Sequence, residues 1–245
     1  MKNIHTTIVI TQNDETVMPL MDHLKELRLR LIKSLAATAI GMAFSYYFID
    51  QIMAFLTTPA GQLYFTKPAE AFLIYMKVTL IAGAIAASPI IFYELWSFLI
   101  PAFTKNEKSL LLILVPISVL LFASGILLAY FLILPQGLHF FLTFTSSTVL
   151  QPLLSMESYL DFVLALVLPF GFIFEIPLLL IALAYMGLIE SHMLKKGRRF
   201  IIFISFVVAA IITPTPDVLS QTSLAIPMIT LYELSRLIIR YGLKK

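Results

Sequence analysis

The side chains of this chain that could do chemistry are carboxylates in or beside strongly apolar segments. Glu26 precedes the first such segment, Glu107 stands in a short basic loop, and Glu175 lies inside the run Phe170-Gly-Phe-Ile-Phe-Glu-Ile-Pro. A carboxylate in hydrocarbon is costly unless it is neutral, paired or hydrated, so Glu175 is a candidate contact for a partner or a passing peptide.

Each acid also has a purely structural interpretation. Glu26 is spaced to form a surface ion pair with Arg30, worth roughly a few tenths of a kcal/mol, and the residue pattern alone favours that pair. Glu107 lies where a helix N-terminus would favour an acid. Glu175 is either a protonated side chain bonded to a neighbouring helix or a polar contact for a partner. Glu94, nearer the end of its segment, is expected to be readily solvated.

Two further features are polar or amphipathic. The turn Thr213-Pro-Thr-Pro-Asp-Val-Leu-Ser-Gln joins the last two apolar segments. Asp217 in this turn is expected to cap the next helix, and Gln221 lies one turn into it. Near the start of the chain, residues 19–31 place leucines at helical spacing and predict an amphipathic helix that lies on a bilayer surface before entering it.

Several function classes lack support in the sequence. The motifs GxSxG and HExxH and the P-loop are missing, and the four histidines are scattered. The chain has no cysteine, which rules out disulfides and thiolate metal sites. Its net charge of +3 gives no support for nucleic-acid binding. We therefore expect neither an enzyme nor a protein that needs a metal or cofactor.

Composition indicates the environment that positions these acids. The 245 residues are 60% hydrophobic and 13% charged, whereas soluble domains carry about 25% charged residues. There is too little polar surface to cover such an apolar core in water, so the surplus must face lipid.

Six apolar segments predict an all-α polytopic membrane protein with six transmembrane helices. Helices are expected because lipid offers no partner for a free backbone group. Prolines 89, 116, 169 and 177 lie inside the segments and predict kinks. The last two segments are short for a bilayer. The six run over residues 33–49, 72–100, 109–134, 159–188, 200–212 and 222–239.

Basic residues predict the orientation. Of the 17 lysines and arginines, Lys67 and Lys77 alone fall on the external side when the N-terminus is cytoplasmic. The positive-inside rule thus places both termini in the cytoplasm. Residues 1–17 are interpreted as a dispensable, disordered extension, residues 18–240 as one membrane domain, and residues 241–245 as a cytoplasmic tail.

Four motifs, taken in order, resemble the TatC family, the receptor subunit of the twin-arginine translocase. They read HLKELRLRL, then ASPIIFYELWSFLIPAFTKNEK, then SYLDFVLALVLPFGFIFEIP, then RRFIIFISFVVAAIITPTPDVLSQTSLAIP. The likeness runs from about residue 18 to residue 237, with six segments in register.

The resemblance implies a concave, glove-like bundle in a bacterial inner membrane. It implies that this bundle receives folded precursors with twin-arginine signal peptides. It also implies partnership with TatA- and TatB-type single-span proteins, self-association in a receptor complex, and drive by the protonmotive force. The residue pattern leaves a secondary transporter or channel as the alternative, for which Glu175 alone is thin support.

The family's functional positions are carried over residue by residue. The signal-peptide acids fall on Glu26 and Glu107, which reverses the preference for the structural interpretation of both. The remaining matches are Arg28, Lys105 and Phe98 at the same cytoplasmic site, Glu175 as the buried glutamate, and Asp217 and Gln221 at the polar turn.

The sequence also departs from the family pattern. Glu94 stands where glutamine is common, Thr104 and Asn106 stand where tyrosine and histidine are common, and the turn reads TPTPD rather than TPPD.

Overall fold

A computed structural model describes residues 20–99, 107–144, 153–212 and 218–242 of the chain. Within these residues the fold is all-α, as predicted, and the isolated bridge between Tyr64 and Ser155 is its one β-type pairing. The helices are α1 (Leu20–Tyr47), α2 (Ile49–Thr57), α3 (Glu70–Ala86), α4 (Ser88–Leu99), α5 (Glu107–Leu128), α6 (Leu134–Phe144), α7 (Met156–Ile173), α8 (Ile176–Tyr185), α9 (Ser191–Ile212) and α10 (Val218–Gly242). A π-helical turn, Ala129–Ile133, joins α5 to α6.

Described helices cover each of the six predicted apolar segments. Three described segments are individually long and apolar enough to cross a membrane: Leu111–Thr143, Met156–Tyr185 and Gln221–Gly242. Two bent pairs raise the number to five if each pair is one span. These are α1 with α2, bent by 78°, and α3 with α4, bent by 57°. The remaining predicted span lies in α9, whose first half carries Lys195, Lys196, Arg198 and Arg199 and leaves only residues 200–212 as an apolar run.

Helix breaks occur beside two of the prolines that were predicted to cause kinks. Pro89 is the second residue of α4, directly after the bend from α3, and Pro177 lies in the first turn of α8. Proline suits a helix start because its missing N–H is not needed there. Pro116 and Pro169 lie inside α5 and α7, which continue past them as helices.

Two glycines bring α1 and α3 into close contact. A Cβ added to Gly41 would lie 2.3 Å from the carbonyl oxygen of Gly83, and one added to Gly83 would lie 2.5 Å from the backbone nitrogen of Met42. The backbones therefore touch where no side chain fits. This contact fixes α1 against α3, and α4 continues directly from α3.

A second contact fixes α4 against α5. Trp96 and Ser118 are both buried, and the indole Nε1–H of Trp96 donates a hydrogen bond to Ser118 Oγ at 2.7 Å. Apolar side chains of α4, α5 and α8 surround this pair, among them Phe92, Leu114, Phe122, Leu178 and Ala182. This packing fixes α4, the helix that carries Glu94, against α5 and α8.

The polar residues that interrupt the last span are paired within the fold. Glu233 on α10 forms ion pairs with Arg198 on α9 at 2.7 Å and with Arg236 at 2.8 Å. The Tyr232 hydroxyl donates to the backbone carbonyl of Leu194 at 2.7 Å. These contacts tie α9 to α10 and account for charged groups at one end of an otherwise apolar helix pair.

Candidate functional site

The candidate site lies where α1 and α4 meet. On α1, His23, Glu26 and Arg30 recur at helical spacing and share one face, and Glu94 and Phe98 lie one turn apart on α4. The two helices run in opposite directions here. The His23 ring stacks on the Phe98 ring with a centroid distance of 4.3 Å and an interplanar angle of 18°. Further along, Arg30 contacts Glu94.

Arg30 bridges two carboxylates. Its Nε–H donates to Glu26 Oε1 at 2.9 Å, which confirms the predicted pair between these residues. Its Nη1 donates to Glu94 Oε2 at 3.1 Å, and Lys33 Nζ lies 3.7 Å from Glu94 Oε1. We call these four residues, Glu26, Arg30, Lys33 and Glu94, the Arg30 cluster.

Exposure decreases from Lys33 towards Glu94. The side chains are 64% exposed in Lys33, 25% in Glu26, 20% in Arg30 and 8% in Glu94. The expectation that Glu94 would be readily solvated is therefore wrong. The reason is that α1 covers this face of α4 and Arg30 supplies the counter-charge. A carboxylate this buried needs such a partner, since its desolvation is otherwise uncompensated.

The predicted site residues are only partly brought together. Phe98 lies half-buried beside His23, at the same α1–α4 contact that holds Glu26. Arg28 is exposed and two residues from Glu26, so it lies on a different side of α1. Glu107 is the first residue of α5, but its side chain and the whole of Lys105 lie outside the described residues.

Glu175 lies at the break between α7 and α8. Its Oε1 atom is buried and has no hydrogen-bond partner among the described residues. Among the described residues, the Ser118 hydroxyl and the backbone of Phe122, both on α5, are the polar groups near enough to act on this carboxyl. Glu175 is therefore separate from the Arg30 cluster and faces the α5 side of the bundle.

Gln221 connects the last two helices. Its Nε2 donates to the backbone carbonyl of Phe206 at 3.0 Å, which joins α10 to α9. Asp217, the predicted cap of α10, lies outside the described residues.

Sequence reasoning missed the contact between Arg30 and Glu94. The two residues are 64 positions apart, so no local spacing links them. The sequence held one signal of this contact. Glu94 is an acid in an apolar helix, and no cation lies within one turn of it on α4 to serve as its partner. The stacking of His23 on Phe98 had no comparable signal. Among the described residues, no group of three or more His, Asp or Glu side chains is arranged to hold a metal ion.

Comparison with known proteins identifies the family. The family model of the Sec-independent protein translocase protein (TatC) matches residues 22–227. The TatC protein of Desulforapulum autotrophicum is 42% identical over 240 residues, covering 95% of this chain and 88% of the relative. That of Aquifex aeolicus is 41% identical over 225 residues, covering 89% and 93%.

Solved structures agree with this assignment. A crystal structure of the twin-arginine translocase receptor TatC superposes with a TM-score of 0.79 at 40% identity, covering 89% of this chain and 98% of that one. A second, in the detergent DDM, gives a TM-score of 0.81 at 39% identity. With matches of this length and identity to both sequence and structure, the chain belongs to the TatC family of Sec-independent protein translocase proteins.

Proposed function

We propose that this chain is the receptor subunit that binds twin-arginine signal peptides at the cytoplasmic end of α1 and α4. The observation that carries the proposal is the state of Glu26, whose carboxylate already accepts hydrogen bonds from a guanidinium group in a partly buried setting. A site that holds one arginine in this way has the chemistry to hold another.

Two arginines call for two carboxylates. Planar guanidinium groups bind carboxylates through paired, charge-assisted hydrogen bonds, a geometry that lysine does not reproduce. We assign one peptide arginine to Glu26 and the other to Glu107, and we retain Arg28 and Lys105 as further signal-peptide contacts. Phe98 limits access of water on the α4 side, where it is half-buried. Exposed ion pairs alone are worth under about 1 kcal/mol, so this partial desolvation matters.

The test is peptide binding to the purified full chain in detergent. A charge-assisted hydrogen bond is worth roughly 1.5–3 kcal/mol, and about 1.4 kcal/mol is a tenfold change in Kd. Replacing Glu26 or Glu107 by alanine should therefore weaken binding of a twin-arginine peptide by about tenfold or more. If both variants bind the peptide with wild-type affinity, the recognition proposal is wrong.

Asp22 provides a matched control for the loss of an acid. It lies one turn before Glu26 on α1 and is paired with Lys25 at 3.0 Å, with 53% of its side chain exposed. Asp22→Ala removes the same charge from the same helix but should leave peptide affinity nearly unchanged. A peptide with both arginines changed to lysine tests whether the fork geometry, rather than positive charge, is recognised.

We further propose that both termini are cytoplasmic and that the protein lies in a bacterial inner membrane. The distribution of the 17 basic residues, of which only Lys67 and Lys77 are then external, supports this orientation. A reporter that works only in the cytoplasm should be active when fused to residue 245. A reporter that works only in the periplasm should be inactive there, and its activity would overturn the topology. We retain residues 1–17 as a dispensable extension, and their deletion should leave export intact.

The edge formed by α9 and α10 is where we propose that TatA- and TatB-type helices dock. The apolar run of α9 is 13 residues, about 20 Å at ~1.5 Å per residue, against a hydrocarbon core of about 30 Å. Apolar side chains are exposed along this edge: Phe203, Ile211 and Ile226. A partner helix would cover them and relieve the length mismatch.

Site-specific crosslinking tests this docking surface. Photoreactive probes in residues 222–232, with Ile226 the most informative because its side chain is 55% exposed, should label the single-span partners. Leu112 on α5, 78% exposed, is the control position and should label lipid. If the probes at both positions label lipid and no protein, the assignment is wrong.

A further inference from the structure

The Glu26 carboxylate is already occupied in this structure. Arg30 donates to it from Nε at 2.9 Å and also from Nη2, and both contacts use the same oxygen, Oε1. A second guanidinium that binds Glu26 through both of its oxygens needs Oε1 as well. It therefore competes with Arg30 for that atom.

We propose that Arg30 is a built-in occupant of Glu26 that an incoming peptide arginine displaces, and that Glu94 is the positioning residue that keeps the displaced Arg30 paired. The proposal rests on the function proposed above, since it assumes that Glu26 receives a peptide arginine. It adds two residues, Arg30 and Glu94, that set the affinity of the site without contacting the peptide.

Glu94 is well placed for this role. It already accepts a hydrogen bond from Arg30 Nη1 at 3.1 Å, so Arg30 need not travel to reach it. Its side chain is 8% exposed, against 25% for Glu26, and a less exposed carboxylate attracts a guanidinium more strongly because water screens it less. Of the two carboxylates that Arg30 bridges, Glu26 is therefore the one more readily given up.

Without Glu94, displacement would leave Arg30 unpaired. The Arg30 side chain is only 20% exposed, and an unpaired charge in such a position is strongly unfavourable. Lys33 also contacts Glu94, at 3.7 Å, but it is 64% exposed and can turn into water when Arg30 moves fully onto Glu94. Glu94, the inner carboxylate, contacts both cations of the cluster but needs only one of them as a counter-charge. Arg30 is the cation that also blocks Glu26.

The experiment measures affinity of a synthetic twin-arginine peptide for the purified full chain and five variants. Glu94→Gln keeps the side-chain shape but leaves Arg30 only Glu26 to bind. It should weaken peptide binding by roughly threefold to tenfold, the effect of a partly exposed ion pair. The double variant Arg30→Gln with Glu94→Gln removes the competitor and should bind the peptide at least as tightly as wild type.

Lys33→Gln with Glu94→Gln is the matched control. It has the same net charge as the first double variant and loses a cation of the same cluster, but it leaves Arg30 on Glu26. It should bind as weakly as Glu94→Gln alone. If the two double variants bind equally, only net charge matters and the proposal is overturned. Wild-type affinity of Glu94→Gln would also overturn it.

Arg30→Lys gives a second route in case the double variant does not fold. It retains the charge but loses the fork that bridges two carboxylates, so it should bind the peptide as tightly as wild type or more tightly. Weaker binding would overturn the proposal. Glu26→Ala distinguishes a failure of the proposed function from a failure of this inference alone. If it binds the peptide normally, the proposed function and this inference both fail. If Glu26→Ala loses peptide binding and the two double variants bind the peptide equally, this inference alone fails.

Discussion

The backbone N–H of Glu157 donates a hydrogen bond to Glu70 Oε1 at 2.9 Å, although the two residues are 87 positions apart. Ser155 Oγ donates to the same oxygen at 3.1 Å. The other oxygen accepts from the backbone N–H of Thr66 at 2.7 Å and of Lys67 at 3.1 Å. Glu70 therefore pins the start of α7 to the connection between α2 and α3.

Loss of this carboxylate should loosen the connection between the two segments. Glu70→Ala removes every one of these contacts and leaves several backbone N–H groups without an acceptor, so the thermal unfolding midpoint in detergent should fall. Glu157→Gln is the matched control, because only the backbone of Glu157 takes part in the contact. An equal fall in both variants would show that the side-chain contact at Glu70 has no special role.

The same carboxylate should make stability depend on pH. Hydrogen bonding from the backbone of Glu157, then of Thr66, lowers the pKa of Glu70 from its ordinary value of 4.5 to about 2. A lowered pKa in the folded state means that the contribution is fully present above pH 4.5 and is lost as the pH falls to about 2. The difference in unfolding midpoint between wild type and Glu70→Gln should therefore shrink across that interval. A difference that stays constant from pH 6 to about pH 2 would contradict this titration.

Features encoded by local spacing were predictable from the sequence. The pair of Glu26 with Arg30 lies within one helical turn, and the breaks beside Pro89 and Pro177 follow from the missing N–H and fixed φ of proline. The short apolar run of α9 follows from the position of its cations. Each of these depends only on residues a few positions apart.

Contacts between distant segments were not predictable in the same way. Arg30 meets Glu94 only because α4 leaves α3 at a 57° bend and α3 is fixed to α1 by Gly41 and Gly83. Glu70 gave no signal because its partners are mostly backbone N–H groups, which every non-proline residue carries. The relative rotation and bending of the helices decide these contacts, and periodicity does not encode either.

The contact between α1 and α3 should tolerate no added side chain. A Cβ at Gly41 would lie 2.3 Å from a backbone oxygen, so the helices must separate to admit it. Overpacking of this kind typically costs about 1–3 kcal/mol, and backbone atoms cannot rotate away. Gly41→Ala should therefore lower the unfolding midpoint and, by moving α1, weaken peptide binding.

Gly197 is the matched control for this substitution. It lies inside α9, and the nearest atom to an added Cβ is the Tyr232 hydroxyl oxygen at 3.7 Å. Gly197→Ala should be neutral or stabilise the helix by about 0.5–1 kcal/mol, because alanine loses less backbone entropy. If the two alanine variants unfold at the same temperature, close helix packing does not explain the Gly41 position.

Glu175 should support export through its shape and hydrogen bonding rather than its charge. It lies at the break between α7 and α8, and none of the described residues bonds its buried Oε1. Among the described residues, the polar groups that act on its carboxyl are the Ser118 hydroxyl and the Phe122 backbone, neither of which is titratable. Glutamine fills the same volume, and its amide can still donate or accept a hydrogen bond there. Glu175→Gln should therefore retain more export than Glu175→Ala.

The measurement is export of a reporter carrying a twin-arginine signal, at matched membrane levels of each variant. Glu190→Ala is the control, because Glu190 is an exposed acid directly before α9 and its loss should leave export unchanged. Equal loss in Glu175→Gln and Glu175→Ala would mean that the negative charge itself is required. In that case, a proton or cation bound by the Glu175 carboxylate at the break between α7 and α8 would become part of the mechanism, since neither glutamine nor alanine has a carboxylate to bind one.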